Sequence, residues 1–193
     1  FVPIQDVPSE VGDDTVAAGT HTDHIAIEYE APGTDHAEQE QNLAEKIRQW
    51  PTPEIAVDAV GEGSGLADGL DNRFGTVHRF KNQATAADET AYDDCWAESL
   101  ALFAEFLEEG GTIAHEDLYE QAKVAARTVT WRERHIGSRG EDGADVLAAD
   151  GRKEDVKKRL GRSPDHLDAA LMAVWRDRAE TADDQRASPT FSF

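Results

Sequence analysis

The sequence predicts a mixed α/β domain with one central sheet that opens as a β-meander. Short segments with strand character alternate with amphipathic helical segments along most of the chain. The first strand candidates follow one another directly, with turn-forming residues between them, as the strands of a meander do. The chain has 193 residues, of which 39% are hydrophobic, and this is enough for the core of one domain.

The first elements are short strand candidates and one helix. The strand candidates alternate apolar and polar side chains, as at Ile25, Ile27 and Tyr29. The helix has a periodic apolar face and ends where two prolines follow it. We predict strands at residues 2–6, 15–19 and 24–29 and a helix at residues 34–50.

A short apolar strand at residues 54–58 ends on the carboxylate Asp58, and a glycine-rich segment leads from it into a helix. Ligands of α/β sheets bind at the carboxyl ends of strands, so Asp58 is a candidate functional residue. The alternative is a strand-ending Asp that caps the following turn. The glycine-rich segment GEGSG does not match a phosphate-binding P-loop, because no lysine follows it. It also lacks the full G-x-G-x-x-G pattern of dinucleotide-binding loops, because Ala67 falls near the position of the third glycine.

The remaining elements include a long amphipathic helix and a final pair of helices. The long helix, at residues 88–109, carries aromatic and leucine side chains at helical spacing and is closed by two glycines. We expect residues 1–178 to form the domain and residues 179–193 to be a flexible tail. Further helices are predicted at residues 116–122, 153–159 and 164–178, further strands at 76–80, 112–114 and 127–136, and a hairpin tip or mobile loop at 137–143.

The last predicted helix carries two carboxylates near its start. Ser163 is a good N-cap, Pro164 suits the first helical position, and Asp165 and Asp168 then share one face of the helix. Asp165 is equally consistent with a residue that compensates the helix dipole. Asp168 lies a turn further in, beside the apolar stripe, where an unpaired carboxylate is costly. Asp168 is therefore the better candidate for a functional residue.

The net charge of −21 results from 40 acidic and 19 basic side chains. The acids are dispersed through globular sequence, which favours adaptation to near-saturating salt over an acidic partner-binding protein. At such salt the Debye length is about 3 Å or less, so self-repulsion is screened.

Six of the basic residues fall within residues 152–162, a net positive stretch of a strongly negative protein. These residues form either a solvated helix face with i,i+4 ion pairs or a site for phosphate contact. Because bases are scarce elsewhere, we favour phosphate contact, with Lys153, Lys157 and Arg162 as the candidate residues for binding an anionic partner.

Several other site types are excluded or disfavoured. Cys95 is the single cysteine, so it forms no internal disulfide and no cysteine-based zinc site, and we expect it to pack rather than react. The seven histidines show no paired zinc-ligand spacing. No apolar run is long enough to span a membrane. The chain starts at Phe1 without a signal peptide, so we expect a domain cut from a longer protein, in a cytoplasmic setting.

Three segments resemble the C-terminal nuclease domain of tailed-virus large terminases. They are VDAVGEGSGLADGL at residues 57–70, KEDVKKRLGRSPDHLDAALMA at 153–173 and DVPSEVGDDTV at 6–16. In that family a strand ends in Asp before a glycine-rich turn, and a late RSPD-x-x-DAL segment closes the domain. The resemblance implies an RNase H-like fold, with a central mixed β-sheet that starts with an antiparallel three-strand meander and is flanked by helices. With the acidity, it implies a haloarchaeal virus or provirus.

The resemblance also implies a metal site. It places Asp6, Asp58 and Asp168 as catalytic metal ligands and Asp165 as a further ligand. Clustered carboxylates without a His or Cys cage suit two Mg²⁺ or Mn²⁺ ions. Two such ions about 4 Å apart can activate a water and stabilise the leaving oxygen of a phosphodiester.

The first segment departs from the family pattern. Gln5 precedes Asp6, and Pro8 follows it where a small residue is usual. If Asp6 points elsewhere, Asp13 or Asp14 is the natural substitute as the first ligand.

The function implied by the resemblance is a metal-dependent endonuclease that cuts concatemeric double-stranded DNA during viral genome packaging. Its partners would be DNA, an upstream terminase ATPase domain, the portal and the small terminase subunit, in the host cytoplasm and transiently at the procapsid. ATP hydrolysis is not expected, because no Walker pair occurs in the sequence. Two alternatives stay open: a stand-alone RNase H-like Holliday-junction resolvase, and a non-catalytic acidic interaction domain of the packaging machine.

Overall fold

The computed structural model describes residues 2–7, 14–20, 23–32, 36–50, 55–59, 63–75, 77–136, 144–150 and 152–175. The strands are β1 (Val2–Val7), β2 (Asp14–Thr20), β3 (His24–Pro32), β4 (Ile55–Asp58), β5 (Val77–Phe80), β6 (Thr112–Ile113), β7 (Thr130–Ile136) and β8 (Ala144–Asp150). The helices are α1 (His36–Ile47), α2 (Gly63–Phe74), α3 (Cys95–Glu108), α4 (Glu116–Thr128), α5 (Lys153–Leu160) and α6 (residues 165–175).

Six strands form one mixed sheet in the order β5-β4-β1-β2-β3-β6. Strands β1, β2 and β3 pair antiparallel, whereas β4 runs parallel to β1, β5 parallel to β4, and β6 parallel to β3. The sheet therefore opens with a three-strand meander and continues through parallel strands connected by α2 and longer crossovers. This arrangement confirms the predicted fold class.

The side-chain alternation of β2 divides the core into two layers. Ala17 packs with residues of α1, α2 and β4, whereas Val16 and Ala18 pack with residues of α3 and α6. Successive strand residues point to opposite faces of the sheet, so helices cover both faces. Buried side chains that represent the two layers are Leu43, Ile47, Leu66 and Leu70 on one face and Trp96, Leu118, Val156 and Leu167 on the other.

Two predicted helix boundaries were wrong by more than one helical turn. Helix α3 begins at Cys95 rather than at residue 88, because the Asp94 side chain accepts from the Ala97 backbone N–H at 2.9 Å and caps the helix there. Residues 81–94 form turns instead. Helix α4 continues to Thr128, beyond the predicted end at residue 122, so β7 starts at Thr130. Apolar periodicity marks a helix but does not locate its ends.

Strand β8 is an element that sequence patterning missed. It pairs antiparallel with β7 along its whole length, from Thr130↔Asp150 to Ile136↔Ala144, and forms a separate two-stranded sheet. Its sequence, ADVLAAD, is rich in alanine and aspartate, which are uncommon in strands. The predicted hairpin tip at 137–143 and the predicted tail at 179–193 lie outside the described residues.

Within the part of the chain that the structure describes, no helix is both long and apolar enough to cross a membrane.

Candidate functional site

Strand β4 and helix α6 pack against each other and bring two carboxylates together. Ala56 of β4 and Met172 of α6 belong to one buried apolar cluster. Asp58 lies two residues after Ala56 and shares its face of the strand, and Asp168 lies one turn before Met172 on the same side of the helix. Packing of the apolar pair therefore directs both aspartates to the same end of the sheet.

Both aspartates are buried, with 7% of Asp58 and 5% of Asp168 exposed. A buried carboxylate is costly unless a partner compensates its charge. The Lys153 Nζ atom lies 2.6 Å from Asp168 Oδ2 and supplies that partner. Lys153 is itself largely enclosed, with 20% of its side chain exposed.

The Lys153 ammonium contacts Asp168, and the negative charges of Asp58 and Asp165 act on it as well. Burial lowers the pKa of Lys153, but Asp168, Asp58 and Asp165 raise it by more, so the net shift is upward. Lys153 therefore stays charged and holds mutually repelling carboxylates in one place. We call Asp58, Asp165 and Asp168 the acidic cluster.

Asp165, at the start of α6, has a raised pKa. Burial raises its pKa, as does the charge of Asp168, and these effects outweigh the hydrogen bond from Ser163 and the charge of Lys153. Its Oδ1 atom is buried and has no hydrogen-bond partner among the described residues. A buried carboxylate oxygen that lacks a hydrogen-bond donor is suited to bind a cation.

Asp6 lies in β1, the strand between β4 and β2. The parallel register, with Ile4 opposite Val57, places the part of β1 after Ile4 beside the carboxyl end of β4. The backbone of Asp6 is thus next to the acidic cluster, while its side chain lies outside the described part of the structure, as do Asp13 and the side chain of Asp14. Asp6 as a metal ligand stays a prediction.

The three residues predicted to bind DNA occupy different environments. Lys157 is exposed on α5. Arg162 is exposed as well, and its Nη2 atom lies 2.6 Å from Asp117 Oδ1. Lys153 instead directs its ammonium to Asp168. The structure brings Lys153 into the acidic cluster and leaves Lys157 and Arg162 outside it.

The start of α5, which carries Lys153, is anchored to α3. The Arg152 guanidinium donates to Asp94, the residue that caps α3, and lies 3.8 Å from Asp93. The hydrogen bond with Asp94 raises the pKa of Arg152. Asp155 in turn accepts from the Arg152 backbone N–H at 3.1 Å. These contacts fix the helix N-terminus and with it the base of the Lys153 side chain.

A second polar group lies beside the acidic cluster, and sequence patterning missed it. Among the described residues, ligand atoms of Glu30, His115 and His166 lie within 4.8 Å of one another. Glu30 and His166 are 136 positions apart in the chain, so no local spacing could reveal the group. The one available signal was that His166 stands between Asp165 and Asp168.

The acidic cluster has the donor set that Mg²⁺ and Mn²⁺ prefer. Carboxylate oxygens are hard ligands, and these ions bind such oxygens together with water. The Lys153 ammonium is a cation in contact with Asp168, and Asp165 Oδ1 has no hydrogen-bond partner within the described part of the chain. The residues therefore fit a divalent cation held by Asp58 and Asp168, with Asp165 beside them.

Cys95 is not suited to nucleophilic chemistry. It is buried, and its Sγ atom donates to the Thr85 carbonyl at 3.1 Å. Burial raises the pKa of the Cys95 thiol to about 12, with further contributions from Glu98 and Asp94. The reactive thiolate is therefore scarce near neutral pH.

Neither a protein-family model nor a curated protein matches the sequence. Several solved structures are similar to this chain in fold. The nuclease domain of the large terminase subunit gp2 of bacterial virus Sf6 superposes with a TM-score of 0.61 and 17% identity, over 90% of this chain and 87% of that chain. A mutant of that domain with manganese gives a TM-score of 0.59 and 16% identity over the same shares of the two chains.

The large terminase nuclease from thermophilic phage G20c with bound magnesium gives a TM-score of 0.53 and 16% identity, over 91% of this chain and 80% of that chain. At such identities the likeness is one of fold. The chain has the RNase H-like fold of these viral nuclease domains.

Proposed function

We propose that this chain, which has the fold of large terminase nuclease domains, is the metal-dependent endonuclease domain of a viral DNA-packaging terminase. The observation that carries the proposal is the acidic cluster. Asp58 at the carboxyl end of β4 and Asp168 of α6 are both buried, Asp168 contacts the Lys153 ammonium, and the charges of Asp58 and Asp165 act on the same ammonium. Carboxylates gathered in this way are the ligands that phosphodiester-cleaving metal sites use.

In this proposal Asp58 and Asp168 hold two divalent ions, Mg²⁺ or Mn²⁺, with Asp6 from the neighbouring strand and Asp165 as further ligands. The ions would activate a water molecule and stabilise the leaving 3′ oxygen. The low exposure of Asp58 and Asp168 limits the water around their carboxylates and strengthens their attraction for cations. Lys153 keeps the cluster assembled without metal and provides positive charge beside the DNA phosphate.

The substrate proposed is concatemeric double-stranded DNA. Lys157 on α5 and Arg162 between α5 and α6 are both exposed, so their charges would contact phosphates flanking the cleaved bond. Long-range attraction to DNA is weak for a protein with a net charge of −21. Tethering to an ATPase domain, and contacts with the portal and small terminase subunit, would then supply much of the encounter with DNA.

The test is cleavage of plasmid DNA with Mg²⁺ or Mn²⁺ by the wild type and by Asp58→Asn and Asp168→Asn variants. We expect each variant to lose more than about 100-fold in cleavage rate, because loss of a direct ligand costs more than the ~10–100-fold typical of outer-shell partners. The same variants should lose the rise in melting temperature that Mn²⁺ gives the wild type.

Asp71→Asn is the matched control. Asp71 is exposed on α2, which covers the other face of the sheet, and Asn keeps the acceptor that its side chain offers to the Val77 backbone N–H. This variant should cleave like the wild type. Undiminished cleavage by both Asp58→Asn and Asp168→Asn would overturn the site. Preference for four-way junctions over linear duplex would indicate a resolvase, and partner binding without cleavage under any metal or salt would indicate an interaction domain.

A further inference from the structure

Gln121 of α4 is fully buried and holds the start of α6 through two hydrogen bonds. Its Oε1 atom accepts from the Leu167 backbone N–H at 2.9 Å. Its Nε2 atom lies 3.1 Å from His166 Nδ1. The N–H groups in the first turn of a helix have no partner within the helix, so Gln121 acts as a cap supplied from another helix.

These contacts fix the tautomer of His166. A backbone N–H can only donate, so the Gln121 atom facing Leu167 must be the oxygen and the atom facing His166 must be the amide nitrogen. The amide nitrogen donates, so His166 Nδ1 must accept and carries no proton. A neutral imidazole then has its proton on Nε2, and that atom donates to the Glu30 carboxylate of β3.

The same hydrogen bonds are incompatible with a metal ion between Glu30, His115 and His166. A metal on Nε2 of His166 would leave Nδ1 needing a proton, which would meet the Gln121 amide N–H₂ donor. Reversing the amide would place that donor against the Leu167 N–H. The rings of His115 and His166 are stacked, 4.9 Å apart and 17° from parallel, so their nitrogen lone pairs do not converge on one point between them.

We propose that Gln121 and His166 are positioning residues that set where α6 presents the acidic cluster. The relay runs from Leu167 through Gln121 and His166 to Glu30, and it ties the first turn of α6 to α4 and β3 at once. Asp165 and Asp168 flank the two anchored residues directly in sequence. This inference rests on the proposed metal site.

By holding the first turn of α6 in place, Gln121 and His166 would raise the affinity of the acidic cluster for a metal ion. A metal ion with oxygen ligands demands near-ideal geometry, so ligands held in place before binding cost less to organise. His166 is 7% exposed and Gln121 fully buried, so solvent does not reach the hydrogen bonds that Gln121 makes with His166 and Leu167. Without the relay, the first turn of α6 loses its anchors while the apolar contacts further along the helix remain.

The test uses Gln121→Leu, with Gln39→Leu as the matched control. Gln39 is likewise fully buried, but it lies on α1, which packs on the other face of the sheet. Mn²⁺ binding is measured by calorimetry without DNA. We expect Gln121→Leu to weaken Mn²⁺ affinity by about 10-fold or more, as for other outer-shell partners, and Gln39→Leu to change it less than about twofold, even where both lower the melting temperature.

A second readout is the ¹⁵N spectrum of the histidine side chains, which reports the proton on each ring nitrogen. We expect wild-type His166 to show an unprotonated Nδ1 and a protonated Nε2, and Gln121→Leu to lose this fixed state. A wild-type His166 protonated on Nδ1, or equal Mn²⁺ affinity in both glutamine variants, would overturn the proposal.

His115→Ala separates positioning from a second metal site. We expect this variant to bind as many Mn²⁺ and Zn²⁺ ions as the wild type, and loss of one ion would overturn the proposal. Because these readouts need no DNA, a protein that passes them but leaves DNA intact would refute the nuclease function alone. A wild type that binds no Mn²⁺ would refute both.

Discussion

Glu98 is a buried carboxylate of α3 that three donors surround. Its Oε2 atom accepts from the Ala87 backbone N–H at 2.8 Å and from Trp175 Nε1 at 2.8 Å, and its Oε1 atom accepts from the Asp88 backbone N–H at 2.9 Å. One side chain thus joins α3, α6 and the turns of residues 81–94. A hydrogen-bonded carboxylate of this kind organises a loop that has few apolar contacts of its own.

Replacing Glu98 with Gln removes one of the two acceptor oxygens. The new amide nitrogen must face a backbone or indole N–H, and that donor is left unsatisfied in the interior. We expect Glu98→Gln to lower the free energy of unfolding by about 1–3 kcal/mol, as measured by urea denaturation. Glu105→Gln, at an exposed site of the same helix, should stay within about 0.5 kcal/mol of the wild type. Equal stability of the two variants would contradict this account.

Among the elements, α2 and the turn after α3 contain glycines with opposite requirements. Gly65 lies in the first turn of α2, is exposed, and has open space where a Cβ would be placed. Gly111 follows α3, and a Cβ there would overlap the Phe106 ring. Gly65 therefore lowers the stability of α2, and no packing contact requires a glycine there. Gly111 instead allows the chain to pass close to the Phe106 ring of α3.

These differences predict opposite effects of alanine. Gly65→Ala should raise the free energy of unfolding by up to about 1 kcal/mol. Alanine has a higher helix propensity than glycine, and it reduces the conformational entropy of the unfolded chain. Gly111→Ala should lower it by about 1–3 kcal/mol, because the Phe106 ring must move within a packed core. Chemical denaturation of the two variants side by side checks both signs. A loss of stability in Gly65→Ala would show that α2 needs glycine at this position.

At the scale of the whole molecule, the net charge of −21 is the dominant feature. The described ion pairs offset few of these charges, and several of them lie at exposed sites where each contributes little. Folding brings the remaining acids together, so their mutual repulsion opposes the compact state unless salt screens it.

We expect the melting temperature to rise by at least about 5 °C when KCl is raised from about 0.1 M to about 2 M in the absence of divalent metal. Sucrose is the control, because it favours burial of surface without screening charge. A larger rise in KCl than in sucrose of matched osmolality would identify screening as the cause. A melting temperature that does not depend on KCl would contradict adaptation to high salt.

The sequence by itself determined the order and type of most elements. Apolar periodicity located β2, β3 and the core of α6, because a buried face must repeat with the period of its element, and a short continuous apolar run located the fully buried β4. The end of β4 marked Asp58, and the capping pattern of residues 163–168 marked Asp165 and Asp168, because local chemistry sets both features. The alanine-rich β8 and the true start of α3 were missed, because alanine and aspartate give a weak strand signal and apolar periodicity does not show which residue caps a helix.

The tertiary structure alone decided which of these residues meet. It placed Lys153 against Asp168, although its sequence neighbours predicted an exposed DNA-binding face, because packing of α5 turned that one side chain inward. It also assembled Gln121, His166 and Glu30 from three separate elements. Spacing along a chain constrains neighbours within a helix or strand, whereas contacts between elements depend on how whole faces pack.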